Sequence, residues 1–318
     1  KRGQGQVRTA FVFPGQGSQK VGMGRDLHEG FAEVRALYDE ASDALGYDVA
    51  ALSFQGPEGE LNRTERTQPC LLAASAAALR ALELSGIRPE AVAGHSLGEY
   101  TALVAAGVLS FGDALRVTEL RGRLMQEAVP EGKGLMAAVL GLERDKVKEI
   151  CQSLKSGYAA PANFNCPGQI VISGEKGAVE EAMKLSDEAG ARRVVPLAVS
   201  VPSHCALMEE TSNRLGEYLS KGEGIEMREP RIPVVTNADA RFLSSVESIR
   251  DALIRQLKGP VYWEDSIVAM QERGFDTFVE VGPGKVLSGL IKRISRNVKI
   301  LNVEDRASLE KTREELRK

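Results

Sequence analysis

The sequence predicts an α/β protein: a large domain on a mainly parallel sheet, interrupted by a small α+β insert. Three observations predict it. Short unbroken apolar runs alternate with Ala- and Leu-rich helical segments toward both ends of the chain. The stretch from about Gly134 to Val199 has its own strand and helix rhythm. Finally, 318 residues with 43% hydrophobic and 27% charged content suit a soluble globular protein large enough for one big domain and a companion.

Thr9–Phe13 is an apolar run closed by Pro14-Gly15, which suits a strand buried on both faces. Gln68–Ser85 reads as a helix with Gly86 and Pro89 as stop signals. Ala91–Ala93 reads as a strand, and Leu97–Ala106 as the helix after it. In the middle of the chain, Leu135–Leu140 reads as a strand and Arg144–Lys155 as a helix. Tyr158–Asn163 and Ile170–Ser173 read as strands around the turn Pro167-Gly168. Lys176–Ala189 then reads as a helix and Arg193–Val199 as a last strand. That β-α-β-β-α-β order is the ferredoxin-like split unit. Alternation resumes with Val234–Thr236 (strand), Ser248–Leu257 and Glu264–Arg273 (helices), Thr277–Val281 (strand), Val286–Ser295 (helix) and Lys299–Val303 (strand). The charged tail from Glu304 reads as mobile. The expected division is a large domain over 1–131 and 200–318 with the insert over 132–199.

A net charge of -3 argues against nucleic acid as the main partner. Cys70, Cys151, Cys166 and Cys205 lie far apart without CxxC spacing, so neither a zinc site nor a disulfide framework is expected. Free thiols suit a reducing compartment, and no run has transmembrane length. A cytoplasmic protein is expected, with an organelle form whose targeting peptide has been removed as the alternative. The polar start Lys1–Gln6 lacks Met and reads as a tag remnant or a trimmed end.

Gly94-His95-Ser96-Leu97-Gly98 has the G-x-S-x-G spacing of a nucleophile elbow, which gives the large domain an α/β-hydrolase-like character. A sharp strand-to-helix reversal exposes Ser96 Oγ, and N–H groups at the helix start face any oxyanion formed there. Gly and Ser are common, so the pentapeptide alone is weak; a plain helix cap is the bland alternative. An apolar strand before it and an Ala-rich helix after it favour catalysis.

A serine hydroxyl needs a base, and imidazole is the commonest. Of three histidines, His95 adjoins Ser96 at a turn where neighbouring side chains diverge, so packing or hydrogen bonding beneath the elbow is expected of it. His28 lies among polar residues and reads as a surface residue. His204 remains, in Ser200-Val201-Pro202-Ser203-His204, where the insert rejoins the large domain. No Asp or Glu between Ser96 and His204 has a context that marks it as the orienting acid; a backbone or amide carbonyl is the alternative.

Ala114–Ala128 reads as an amphipathic helix with Val117, Leu120, Leu124 and Ala128 as its buried stripe. Arg121 falls inside that stripe, and a buried guanidinium is nearly always paired. It is either ion-paired with an internal carboxylate or forms a fork that clamps a substrate carboxylate.

With these residues in hand, the chain resembles the malonyl-CoA:acyl carrier protein transacylases of fatty acid synthesis, and more loosely the acyltransferase domains of polyketide synthases. Phe11–Gln19 (FVFPGQGSQ), Gly94–Tyr100 (GHSLGEY), Ser200–His204 and Glu280–Gly284 (EVGPG) carry the resemblance, with Asn163–Asn165 and Gln169–Gly174 in the insert. The match runs in order from about Thr9 to about Asn302. It implies that Ser96 is acylated, with His204 as its base. The N–H groups of Gln16 and Leu97 would form the oxyanion hole. Arg121 would bind the malonyl carboxylate, and the Gln256 main-chain carbonyl would support His204 without an essential acid. It also implies malonyl-CoA and an acyl carrier protein as partners, and no cofactor, since the coenzyme A and phosphopantetheine thioesters are substrates. A monomer is expected, with neither nucleic acid nor membrane as a partner. Arg192-Arg193 and Lys292-Arg293 would contribute a basic edge for an acidic carrier, or simply a solvated face. The rival readings are an esterase or thioesterase, which would give Arg121 no task, and a non-catalytic carrier-binding subunit. A polyketide-type enzyme using a branched extender is a closer variant.

Overall fold

The computed structural model describes residues 7–199, 201–221 and 224–317, so the terminal Lys1–Gln6 segment and Ser200 of the histidine motif lie outside the described residues. In chain order the strands are β1 (Thr9–Phe13), β2 (Ala91–Gly94), β3 (Gly134–Leu140), β4 (Ala159–Cys166), β5 (Gln169–Glu175), β6 (Arg193–Pro196), β7 (Val234–Val235), β8 (Phe242–Leu243), β9 (Thr277–Val281) and β10 (Lys299–Val303). The larger sheet has the order β10-β9-β1-β2-β7-β8 and is parallel except where β8 returns beside β7. The second sheet has the order β4-β5-β3-β6, antiparallel throughout, with the helices Arg144–Gln152 and Lys176–Glu188 in its connections. The mixed α/β architecture with a separate ferredoxin-like sheet is the one the sequence predicts.

β1 shows why its run is unbroken. It pairs with β2 on one side and β9 on the other. Phe11 and Phe13 enter the apolar layer on one face, while Ala10 and Val12 enter the layer on the other. Alternating side chains reach opposite faces, so a strand covered on both sides needs apolar residues at every position. The small face (Ala10, Ala91, Ala93) leaves room for Trp263, the largest fully buried side chain among the described residues.

The second sheet is fastened to the first rather than tethered by its connections alone. Phe164 N–H donates to the Val261 carbonyl (2.9 Å), and Val261 N–H donates to the Ala162 carbonyl (2.8 Å). Arg144 pairs with Glu264 and Asp265, each at 2.9 Å, and its guanidinium lies over the Phe164 ring. β4 therefore lies rigidly along the start of the helix Trp263–Glu272. That fixes where its residues meet the elbow.

Two expectations are corrected. The tail from Glu304 is not a loose end: Arg306–Arg317 is a helix that buries Leu309 and Thr312, with Arg306 paired to Asp26 (2.8 Å). Leu309 and Leu316 are the only large apolar residues in this charged stretch, too few to mark a buried stripe, and its support comes from distant partners. His28 is half-buried rather than on the surface, edge-on to Tyr38 and Phe54 at 5.6 and 5.1 Å. No helix among the described residues is long and apolar enough to cross a membrane.

Candidate active site

The elbow is built by backbone crowding. β2 ends at Gly94 and the next helix starts at Gly98, with Ser96 between them at φ 52°. A Cβ on Gly94 would overlap the backbone of Gly98, and one on Gly98 would overlap the Phe13 carbonyl. Only glycines let the strand reverse this tightly, and the reversal puts Ser96 in the left-handed region. Asn237, in the loop after β7, clasps both sides of the turn. Its Oδ1 accepts from Ser96 N–H (2.7 Å) and its Nδ2 donates to the Gly94 carbonyl (2.6 Å).

Ser96 Oγ lies 2.7 Å from His204 Nε2. His204 Nδ1 lies 2.7 Å from the Gln256 main-chain oxygen. A carbonyl only accepts, so Nδ1 carries the hydrogen and Nε2 offers its lone pair to the serine hydroxyl. Burial, reinforced by the nearby Arg121 cation, pushes the His204 pKa down to about 3, so the ring is neutral and its Nε2 lone pair is unprotonated. His95 sits beneath the elbow, bonded through Nε2 to Asn165 Oδ1 of β4 (2.7 Å) and tilted against Trp263.

Arg121 is 1% exposed on the helix Phe111–Ala128, which comes close to the helix Thr64–Leu84 at Gly122, where a Cβ would stand 2.6 Å from the Thr64 carbonyl. That approach brings Gln68 against the guanidinium. Arg121 Nη1 donates to Gln68 Oε1 (2.8 Å), and Nη2 donates to Gln256 Oε1 (3.0 Å) and Ser96 Oγ (3.2 Å). Its hydrogen-bond partners are amide and hydroxyl oxygens, and no carboxylate pairs with it among the described residues. Its Nε, fully buried, has no partner among those residues. A buried guanidinium with an unpartnered N–H beside Ser96 has the chemistry to hold an anion. Burial lowers the Arg121 pKa, while Tyr100 and Glu99 nearby favour the charged form.

The two expected oxyanion donors flank the elbow. Gln16 follows Gly15, where a Cβ would overlap the His95 carbonyl, so this loop lies directly against the turn. Neither Gln16 N–H nor Leu97 N–H has a hydrogen-bond partner among the described residues. The site opens into a cavity of ≈ 190 Å³ that is lined by Gln16, Ser96, His204, Met136, Asn163 and Asn165, so both sheets contribute to its walls.

Sequence reasoning missed Asn237, Gln68 and the side-chain role of Glu99. Glu99 is the one acid next to the elbow, yet it does not touch His204. Its Oε2 accepts from Asn237 N–H (3.1 Å) and Gln256 Nε2 (2.9 Å), and burial pushes its pKa up to about 7. The available signal was the one charged residue in the otherwise uncharged run Leu97–Ala106.

The acyl transferase domain model matches residues 10–317. Malonyl CoA-acyl carrier protein transacylase of Escherichia coli K12 is 52% identical over 290 residues, 91% of this chain and 93% of the relative. An acyl carrier protein S-malonyltransferase structure from Vibrio cholerae superposes with a TM-score of 0.93 at 49% identity, over 96% of this chain and all of that one. A malonyl transacylase solved in complex with a type II polyketide synthase acyl carrier protein gives 0.94 at 50% identity, over 97% of this chain and all of that one. Matched over nearly its whole length, the chain belongs to the malonyl CoA-acyl carrier protein transacylases, within the acyl transferase domain family.

Proposed function

We propose that this chain transfers malonyl from malonyl-CoA to the phosphopantetheine thiol of an acyl carrier protein through an ester on Ser96, supplying fatty acid synthesis. One arrangement carries the reading: Ser96 Oγ lies within hydrogen-bond distance of both His204 Nε2 (2.7 Å) and Arg121 Nη2 (3.2 Å). Nucleophile, base and carboxylate receptor are thus together.

In the first half-reaction Ser96 Oγ attacks the thioester carbonyl while His204 Nε2 takes its proton. The oxyanion accepts hydrogen bonds from Gln16 N–H and Leu97 N–H, donors of a kind worth about 10²–10³-fold each in acyl transfer. The C–S bond then breaks, and the coenzyme A sulfur leaves with the proton from His204. In the second half-reaction the carrier thiol gives its proton to His204 and attacks the ester; the proton returns to Ser96 Oγ as the C–O bond breaks. Both steps balance without a redox partner, so we propose no cofactor beyond the two thioester-forming thiols.

Arg121 selects the acyl group. A malonyl carboxylate would pair with the guanidinium through Nε and an Nη atom, placing the thioester carbon near Ser96 Oγ. Binding the carboxylate also offsets the cation that holds His204 basicity down, so the base strengthens as the correct substrate arrives. Every group named comes from one chain, so a monomer suffices, and four free thiols accord with a cytoplasmic location. The exposed Lys292 and Arg293 lie on the helix Val286–Ile294, and Arg293 bonds Gln169 at the cavity wall (2.8 Å). We place the acidic carrier there.

Incubation with malonyl-CoA and a holo carrier tests the reading: malonyl-carrier should form as coenzyme A is released, one for one. Release of free malonate at the same rate with and without the carrier would make the chain a thioesterase instead.

A further inference from the structure

Glu99 has no task in the reaction just described, although it is wholly buried next to the elbow. A carboxyl taken out of water is costly unless its bonds serve the structure, so its partners are informative. Both bonds it accepts end on the same oxygen: Asn237 N–H at 3.1 Å and Gln256 Nε2–H at 2.9 Å. Each of those partners touches the reacting groups. Asn237 holds Ser96 N–H and the Gly94 carbonyl. The Gln256 amide donates to the Ser96 carbonyl (2.9 Å) and accepts from Arg121 Nη2 (3.0 Å), while its main-chain oxygen holds His204.

An amide is ambiguous by itself, because oxygen and nitrogen can exchange places. In Gln256 the choice is forced from both ends, with a cation on the oxygen and the Glu99 carboxyl on the nitrogen. The Asn237 loop is held in the same way. Arg255 forks onto Asp239 through two 2.8 Å bonds, and Tyr262 N–H donates to the Asn237 carbonyl (3.0 Å).

We propose that Glu99 is a positioning residue of the transfer reaction: through Asn237 and the Gln256 amide, its Oε2 sets the strained turn of Ser96 and the direction of Arg121. The inference rests on the transacylase reading and extends it to a residue that touches neither substrate nor the reacting atoms. Because both bonds meet at one oxygen, Glu99→Gln preserves them, its carbonyl taking the place of Oε2. Its NH₂ falls where Oε1 now stands without a partner. Glu99→Ala and the volume-keeping Glu99→Met remove the acceptor altogether.

The test is steady-state transfer from malonyl-CoA to holo carrier, per mole of folded enzyme, with thermal midpoints measured alongside. Expected is a loss of about 100-fold or more in kcat for Ala or Met, with KM for malonyl-CoA within about threefold of wild type. Gln should restore kcat to within about threefold. Folded Ala or Met variants turning over like wild type would overturn the proposal, as would a folded Gln variant tenfold or more slower. If Ala and Met do not fold, the Gln variant alone decides it by the same limits. A wild type that transfers no malonyl would instead refute the transacylase reading, so the two failures are distinct.

Discussion

Ser96 and His204 face each other across 2.7 Å, and both hold left-handed backbone angles, with φ 52° and 60°. Among the described residues, Ala240 is the one other non-glycine with a positive φ. Such angles cost on the order of 1–3 kcal/mol each and persist only where the surroundings over-determine them. Here they do: Asn237 clasps Ser96, and His204 is held by its N–H to the Leu257 carbonyl and by Nδ1 to Gln256. Two of the three strained non-glycine residues therefore meet across one hydrogen bond.

Replacing Arg121 with Ala should lower malonyl transfer by about 10²-fold or more while changing acetyl transfer far less, because only the malonyl group presents a carboxylate to the guanidinium. Transfer rates with the two coenzyme A thioesters check this. Equal losses for both would remove Arg121 from acyl selection.

The His204 pKa, held near 3 by burial and then by the Arg121 charge, sets the acid limb of the rate profile. In the free enzyme kcat/KM should stay level as pH falls through 6.5, the ordinary histidine value. Removing the cation in Arg121→Ala should move the acid limb upward, measured with acetyl-CoA in both proteins. Glu99 titrates near neutrality, so the same profiles taken in Glu99→Gln separate the two groups. An acid limb near 6.5 in wild type, unmoved in Arg121→Ala, would contradict this.

Much of this site was legible in advance, though unevenly. The elbow showed itself because the close packing of β2, Ser96 and the next helix demands glycine at fixed spacing. Arg121 showed itself because a charge in an apolar stripe is conspicuous, and His204 because few histidines compete. Asn237 and Gln68 gave no signal: amide residues are common, and their roles depend on loops and helices that approach only in the fold. Asn237 lies 141 residues from the Ser96 N–H it accepts from. The helices Arg25–Gly30, Val49–Gln55 and Glu58–Leu61 escaped for another reason, being too short to show a helical period.

Glu280 caps the helix Val286–Ile294 from β9, accepting from Leu287 N–H (3.1 Å), Ser288 N–H (2.8 Å) and Ser288 Oγ (2.8 Å). Burial pushes its pKa from 4.5 to about 7. The folded state therefore holds its proton more tightly than the unfolded chain does. That stabilisation is complete below pH 4.5 and is lost as pH rises through 7. Relative to Glu280→Gln, wild type should lose on the order of 2 kcal/mol between pH 5 and 8 in denaturant titrations. A difference that does not change with pH would contradict this.

Reversing charge at Lys292 and Arg293 to Glu should raise KM for the carrier about tenfold or more, with the effect shrinking at high salt. Acylation of Ser96 by malonyl-N-acetylcysteamine, which carries no phosphates, should be unchanged. A carrier KM that does not move would place docking elsewhere.

The most direct test of the central claim is intact mass after rapid quenching of the protein with malonyl-CoA alone. One malonyl group should appear per chain, map to Ser96, vanish in Ser96→Ala and discharge onto the thiol of a holo carrier. A wild-type protein that transfers malonyl yet shows no adduct at any quench time, or a Ser96→Ala variant that still acquires one, would contradict the claim.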